Sequence, residues 1–218
     1  AYHVGVVAKY AFEELLRIPV EVDVASEFRY RDPILNENTL MIIISQSGET
    51  ADTLAALREA KRAGCRVLSV VNVVGSTIAT ESDDVLYTWA GPEISVASTK
   101  AYSTQLAVIY LLALYIGEQL GKFTQEQLSA YIAALEKLPE QIDEMLKHKE
   151  NIQFFASKYF NASDMYFIGR NVDYAASLEA SLKLKEISYI HSEAYAAGEL
   201  KHGPIALLKE GRLVVAAI

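Results

Sequence analysis

The most distinctive pattern in the chain is an apolar run, Leu40–Ile44, that breaks into Ser45-Gln46-Ser47-Gly48-Glu49-Thr50 and then a helical periodicity up to Ala63. Consecutive apolar side chains without alternation predict a strand buried on both faces, as in a parallel sheet covered by helices. Further strands are predicted at Val67–Val71 and Val85–Thr88, with a short helical piece, Ile78–Ser82, between them. A Gly91-Pro92 break precedes a long helix over Ser98–Leu120, and upstream Tyr2–Leu16 reads as a helix and Val20–Val24 as a short strand. Gln125–Lys147 reads as one or two amphipathic helices divided near Pro139, and Ile152–Phe160 as another helix. Strands follow at Met165–Ile168, Glu193–Ala196 and Leu213–Ala217, with a helix over Tyr174–Tyr189 and a turn or short helix over Gly198–His202. This alternation with short links predicts the α/β class, with doubly wound, mainly parallel sheets in α-β-α sandwiches.

The pattern repeats. Shifted by about 172 residues, Tyr2 falls on Tyr174, Ile18 on Ile190, Glu21 on Glu193, Ala25 on Ala197 and Glu27 on Glu199. A one-residue gap then brings Pro33 onto Pro204 and the strand at Leu40 onto the strand at Leu213. That period is too long for a solenoid and predicts two tandem copies of one α/β domain. The expected division is 1–122 for the first copy, 123–150 for a helical connector and 151–218 for the second copy. A helix from the first residues with no strand before it, and a last strand with no turn after it, predict a piece of a longer protein in which both copies are incomplete.

Composition narrows the partners. A net charge of -8 argues against nucleic acid or an anionic membrane as the main partner. One cysteine, Cys65, excludes an internal disulfide framework and fits a reducing compartment. The most apolar stretch, Leu106–Gly117, is about half the length needed to cross a bilayer.

Two stretches carry candidate chemistry. The turn Ser45–Thr50 lies where a strand's C-terminal end meets a helix N-terminus, the place where open α/β sheets bind ligands. First-turn amides and the helix dipole favour an anion there, and the hydroxyls of Ser45, Ser47 and Thr50 with the Gln46 amide can complete its ligation. No G-K-[ST] follows the glycine, so this is not a Walker loop. Farther on, Glu179, Lys183 and Glu186 stand at i, i+4 and i+7, within about 60° of one another on a helix. Such a stripe is often a solvated salt-bridge ladder. Here apolar residues flank it on both sides: Ala175, Leu178 and Leu182 on one, Ala180, Leu184 and Ile187 on the other. That predicts a cleft, with Lys185 off the stripe and solvated. A carboxylate and an ammonium in a cleft suit moving a proton between the carbons beside a sugar carbonyl. His202, in Gly198–Pro204, adds a group suited to proton traffic at neutral pH, where the other copy has Tyr30. His191 and His202 stand too far apart for a metal pair, and no G-x-G-x-x-G is present, so neither metal nor cofactor is expected.

The stretches ISQSGETADT, EISVASTKAYSTQ and LEASLKLKEISYIHSEAYAAGELKHGP resemble the isomerase half of the glutamine–fructose-6-phosphate aminotransferase family, built from two tandem sugar-isomerase (SIS) domains. The resemblance covers nearly all 218 residues. It implies a cytoplasmic homodimer that converts fructose-6-phosphate toward glucosamine-6-phosphate. It implies that Ser45, Gln46, Ser47, Thr50, Val96 and Ser98 hold the sugar phosphate, that Glu186 shuttles the proton with Lys183 and Glu179 beside it, and that His202 opens the ring in the neighbouring subunit's site. The family's glutaminase domain and its C-terminal tail with a Schiff-base lysine have no match here, and Ala1 stands where the family has a ligand-binding serine. Two other readings compete: a non-catalytic sugar-phosphate sensor, which needs the loop but no base, and a deglycase-like enzyme acting on a fructosamine phosphate.

Overall fold

A computed structural model describes residues 1–218. The chain divides into two compact units, Ala1–Ala113 and Leu114–Ile218.

The first unit begins with helix α1 (Tyr2–Leu16), which ends where Arg17 turns left-handed at φ 58°. A short helix α2 (Ala25–Phe28) follows, then strand β1 (Leu40–Ser45), helix α3 (Ala51–Arg62), strand β2 (Arg66–Val71), helix α4 (Thr77–Glu81) and strand β3 (Asp84–Tyr87). The three strands form one parallel sheet in the order β1-β2-β3, with Ile43 opposite Ser69 and Val71 opposite Tyr87. Val70 and Val71 point to opposite faces, yet both are fully buried, so the sheet is covered on both sides. One face carries Ile43, Val67 and Val71, packed with Leu57 and Ala60 of α3 and with Ile78 of α4. The expected α/β class with parallel strands is therefore what this unit adopts.

Val20–Val24 is not the strand that its pattern predicts. The segment takes no regular secondary structure and joins no sheet: the Val20 N–H donates to Glu13 Oε1 and the Val24 N–H to Asp23 Oδ1. Side chains satisfy donors that a ladder would otherwise use. Apolar content promotes a strand only where a neighbouring strand is present to pair with it.

Ion pairs join α3 to α4, β2 to β3, and α3 to the residue that leads into β3. Arg58 forks onto Glu81 at 2.8 and 2.6 Å, Arg66 onto Asp84 at 2.6 and 3.0 Å, and Lys61 reaches Asp83 at 3.0 Å. Asp83 also accepts the Val67 N–H at 2.8 Å, and that bond, with Lys61 second, holds its carboxyl below the usual carboxylate range. Glu81 and Asp84 are lowered likewise, first by their arginines. A depressed folded pKa contributes stability that is complete above the unfolded value, roughly 4, and drains away as pH falls through the folded one. We expect Asp83→Asn to lower the melting temperature at neutral pH and to flatten its fall below about pH 4. Parallel acid limbs in parent and variant would count against the assignment.

The long helix α5 (Lys100–Gln119) contains the boundary between the units. The second unit continues with α6 (Gln125–Glu136), α7 (Leu138–Leu146) and α8 (Lys149–Tyr159). Thr124 and Gln127 close a reciprocal capping box at the start of α6, and the helices divide as expected, with Pro139 in the first turn of α7. Strand β4 (Asp164–Gly169), helix α9 (Val172–Ser188), strand β5 (His191–Ala196) and strand β6 (Leu213–Ala216) complete it. Its sheet is also parallel, in the order β5-β4-β6. Helix α9 packs on β4 and β5, and a buried serine pair fixes it there: Ser181 Oγ lies 2.9 Å from Ser192 Oγ, which also donates to the Ser181 carbonyl at 2.8 Å.

Candidate functional site

The loop Ser45–Thr50 leaves the C-terminal end of β1 and enters α3 with Thr50 at the N-cap. The Thr50 side chain makes no capping bond. Ser45 is buried, and its Oγ accepts the Gly48 N–H at 3.0 Å; Ser47 Oγ accepts the Glu49 N–H at 3.3 Å. A hydroxyl that accepts an amide still has its own proton to donate, so both serines keep a donor for an anion. Gly48 makes the turn possible. Its φ is +69°, and a Cβ there would lie 2.1 Å from Ser76 Oγ.

The segment after β2 holds the loop in place. The Gln46 carbonyl accepts the Asn72 N–H at 3.1 Å and the Gly48 carbonyl accepts the Ile78 N–H at 3.0 Å. The Glu49 carboxylate accepts both the N–H and the hydroxyl of Thr77, at 2.7 and 2.8 Å, and these bonds hold its pKa below the usual carboxylate range. Asn72 in turn receives Thr88 Oγ1 at 3.0 Å and the Ala90 N–H at 2.9 Å, and its amide donates to the Gly91 carbonyl at 2.8 Å. A concavity of about 580 Å³ opens there, lined by Gln46, Asn72, Trp89, Gly91, Pro92 and Glu93 among others. It lies past the C-terminal ends of β1, β2 and β3, where parallel sheets bind their ligands.

Val96 and Ser98 lie in the segment before α5. Val96 is 90% exposed and its carbonyl accepts the Ser98 N–H at 2.9 Å. The Ser98 hydroxyl donates to Glu93 Oε2 at 2.8 Å, which lowers the Glu93 pKa. Its proton is thus already committed within the segment. Sequence reasoning passed over Glu49, Thr77, Asn72 and Glu93. Asn72 carried a signal, a polar residue at the end of a buried strand, whereas the role of Glu49 depends on a partner 28 residues away.

In the second unit, the stripe on α9 is one cluster. Lys183 Nζ lies 2.5 Å from Glu186 Oε2 and 3.5 Å from Glu179 Oε1. Glu179 is only 8% exposed, and the side chains of Lys183 and Glu186 are 23% and 27% exposed. A solvated ladder would be far more open. Burial pushes the Lys183 ammonium down, but Glu186 and Glu179 outweigh it, so its pKa is raised and it stays charged at neutral pH. The apolar flanks are unequal: Ala175 is buried, whereas Ala180 is exposed and Ile187 is 67% exposed. Lys185 is exposed, as its place off the stripe predicts. His202 ends a 3-10 turn, Leu200–His202, with its side chain exposed and its N–H donating to the Glu199 carbonyl at 2.9 Å.

No helix in the chain is long and apolar enough to cross a membrane. Comparison with known proteins agrees with the geometry. The chain is 61% identical over 215 residues to a glutamine–fructose-6-phosphate aminotransferase [isomerizing] of Clostridium tetani, and 50% identical over 216 residues to one of Methanosarcina mazei. Each match takes in 99% of this chain, which spans 35% of either relative's length. Among solved structures, the C-terminal domain of glucosamine-fructose-6-phosphate aminotransferase from Francisella tularensis superposes with a TM-score of 0.96 at 41% identity, covering 99% of this chain and 60% of that one. A glucosamine-6-phosphate deaminase from Thermotoga maritima gives 0.80 at 29%, covering 99% and 64%. The SIS domain model matches residues 1–115 and 158–217, which together make up most of the chain. With an α/β fold of parallel sheets around it, the match leaves one assignment: the chain belongs to the SIS domain family.

Proposed function

We propose that the chain is the sugar-phosphate isomerase part of a glutamine-dependent synthase, taking fructose-6-phosphate toward glucosamine-6-phosphate. The observation that carries this reading is the Glu179–Lys183–Glu186 cluster, half-buried and drawn together on one helix face, in a chain 61% identical to an aminotransferase of that reaction. In this reading the loop of the first unit receives the phosphate through the hydroxyls of Ser45, Ser47 and Thr50, with the Gln46 amide and the α3 first-turn amides beside them. Val96 and Ser98 contribute after Glu93 releases the Ser98 hydroxyl. On the second unit, Glu186 takes the proton from one carbon and returns it to the next. Lys183, held charged, steadies the oxygen on which negative charge develops, and Glu179 fixes the lysine. His202 opens the sugar ring in the site of a neighbouring subunit, which makes the working form a homodimer. The segments matched by the family model act as two tandem SIS copies joined by a helical connector over 123–150. The acidic surface and single cysteine suit a cytoplasmic enzyme of small-molecule metabolism with no nucleic-acid partner. Neither metal nor organic cofactor enters the scheme.

The loop's share of this reading is tested with two sugars. We expect fructose-6-phosphate to bind far more tightly than fructose, with each lost hydrogen bond to a charged oxygen worth about 1.5–3 kcal/mol. Titration calorimetry giving equal affinities for the two would remove the phosphate from the proposal.

A further inference from the structure

We infer that Glu49 is a positioning residue for the anion loop, an inference that rests on the phosphate-binding reading of that loop. An acidic side chain inside a loop meant for a phosphate dianion is at first sight a misplaced charge. Its geometry gives the reason for its presence. Glu49 follows Gly48 and precedes the N-cap of α3, so its backbone is shared with the turn that aims Ser45, Ser47 and Thr50. Its carboxylate is turned away and held by two donors of one residue, the N–H of Thr77 at 2.7 Å and the hydroxyl at 2.8 Å. The other links between the loop and the Asn72–Ile78 segment are backbone bonds, at Gln46 and Gly48, and the contact of Gly48 with Ser76. Glu49 is thus the side-chain tether nearest the α3 amides, and the one link that a substitution can cut without changing the backbone. Two effects follow together. The tether holds the loop in its anion-ready shape before ligand arrives, which lowers the ordering cost of binding. It also keeps the carboxylate on Thr77, a neutral pair of donors, and off the place where the phosphate sits.

The two effects can be told apart by sign. Glu49→Gln removes the charge and keeps one acceptor for the Thr77 N–H, but loses the charge-assisted bond to the hydroxyl. If the carboxylate acted on the phosphate only through repulsion, this variant would bind a phosphosugar more tightly than the parent. As a positioning residue, it should bind more weakly, by roughly tenfold, the equivalent of one hydrogen bond to a charged acceptor. Thr77→Val cuts the hydroxyl bond from the other side and leaves the charge in place, so it should lose at least as much. Thr77→Ser keeps both donors and should restore the parent affinity, which a merely structural contact of the Thr77 methyl would not do. The measurement is calorimetric titration of fructose-6-phosphate, with free fructose as the second arm, on the full chain of parent and variants. Unchanged or tighter binding by Glu49→Gln overturns the inference, as does a Thr77→Val variant that melts and binds like the parent. A parent that fails to prefer the phosphorylated sugar overturns the phosphate reading itself, a distinct result seen before any variant is made.

Discussion

Replacing Glu186 by glutamine should abolish proton exchange at the sugar while leaving its binding almost intact. The glutamine has the same shape and can still accept from Lys183 Nζ, which lies 2.5 Å from Glu186 Oε2. It cannot take up a proton. Loss of a general base typically slows the step by about 10²–10⁴. In the proposed scheme the phosphate is held by the first unit's loop, so affinity for fructose-6-phosphate should stay within a few-fold. The measurement follows deuterium uptake from solvent at C1 or C2 of the sugar, with affinity determined in parallel on the full-length protein. Lys185→Gln, on an exposed position of the same helix, should change neither quantity. Exchange at the parent rate in Glu186→Gln would reduce the stripe to a structural salt bridge and leave the chain better described as a sensor of sugar phosphates.

The second large effect concerns Gly48. Alanine there meets two obstacles at once. The backbone φ of +69° is left-handed, which costs a side chain about 1–2 kcal/mol. The new Cβ would also stand 2.1 Å from Ser76 Oγ and 2.6 Å from Ser76 Cβ, a clash of the overpacking kind, commonly about 1–3 kcal/mol. The two parts separate in a double-mutant cycle. Ser76→Gly removes the obstructing side chain, so Gly48→Ala should destabilise that background by the backbone part alone. A melting temperature for Gly48→Ala equal to the parent's would show that the loop rearranges freely, and the shape of the anion site would then not depend on this turn.

What the sequence made legible follows the range of the interactions involved. The strand at Leu40–Ile44 and the helix after it are written in local apolar sequence, and both formed within a residue or two of expectation, although β1 lies at the sheet's edge and only Ile43 of that run is buried. The stripe on α9 was legible for the same reason, since three and four residues along a helix are spatial neighbours whatever else the fold does. Val20–Val24 shows where that logic stops. A strand depends on a partner, and periodicity says nothing of whether one is beside it. The Glu49 tether and the Asn72 bonds to Thr88, Ala90 and Gly91 fail for a related reason: each joins loops that adjoin only because β1, β2 and β3 are neighbours in one sheet. The two apolar flanks of α9 mark a third limit. A helical wheel assigns Ala180 and Ile187 the same standing as Ala175, whereas only Ala175 is buried.

The serine pair that joins α9 to β5 has a consequence for which changes of length the chain tolerates. Ser181 lies about 200° around the helix from Glu179, so the hydroxyl that grips Ser192 and the charged stripe stand on nearly opposite sides. The bond therefore acts as an index pin that fixes the helix in rotation. One residue inserted or deleted between Ser181 and Glu186 would turn Glu186 by about 100° relative to Ser181, taking it away from Glu179 while the helix itself remained well formed. Lineages carrying this chain should accordingly vary in length in turns such as Leu208–Arg212 and keep the spacing from Glu179 through Ser192 unchanged, even where the residues between are replaced.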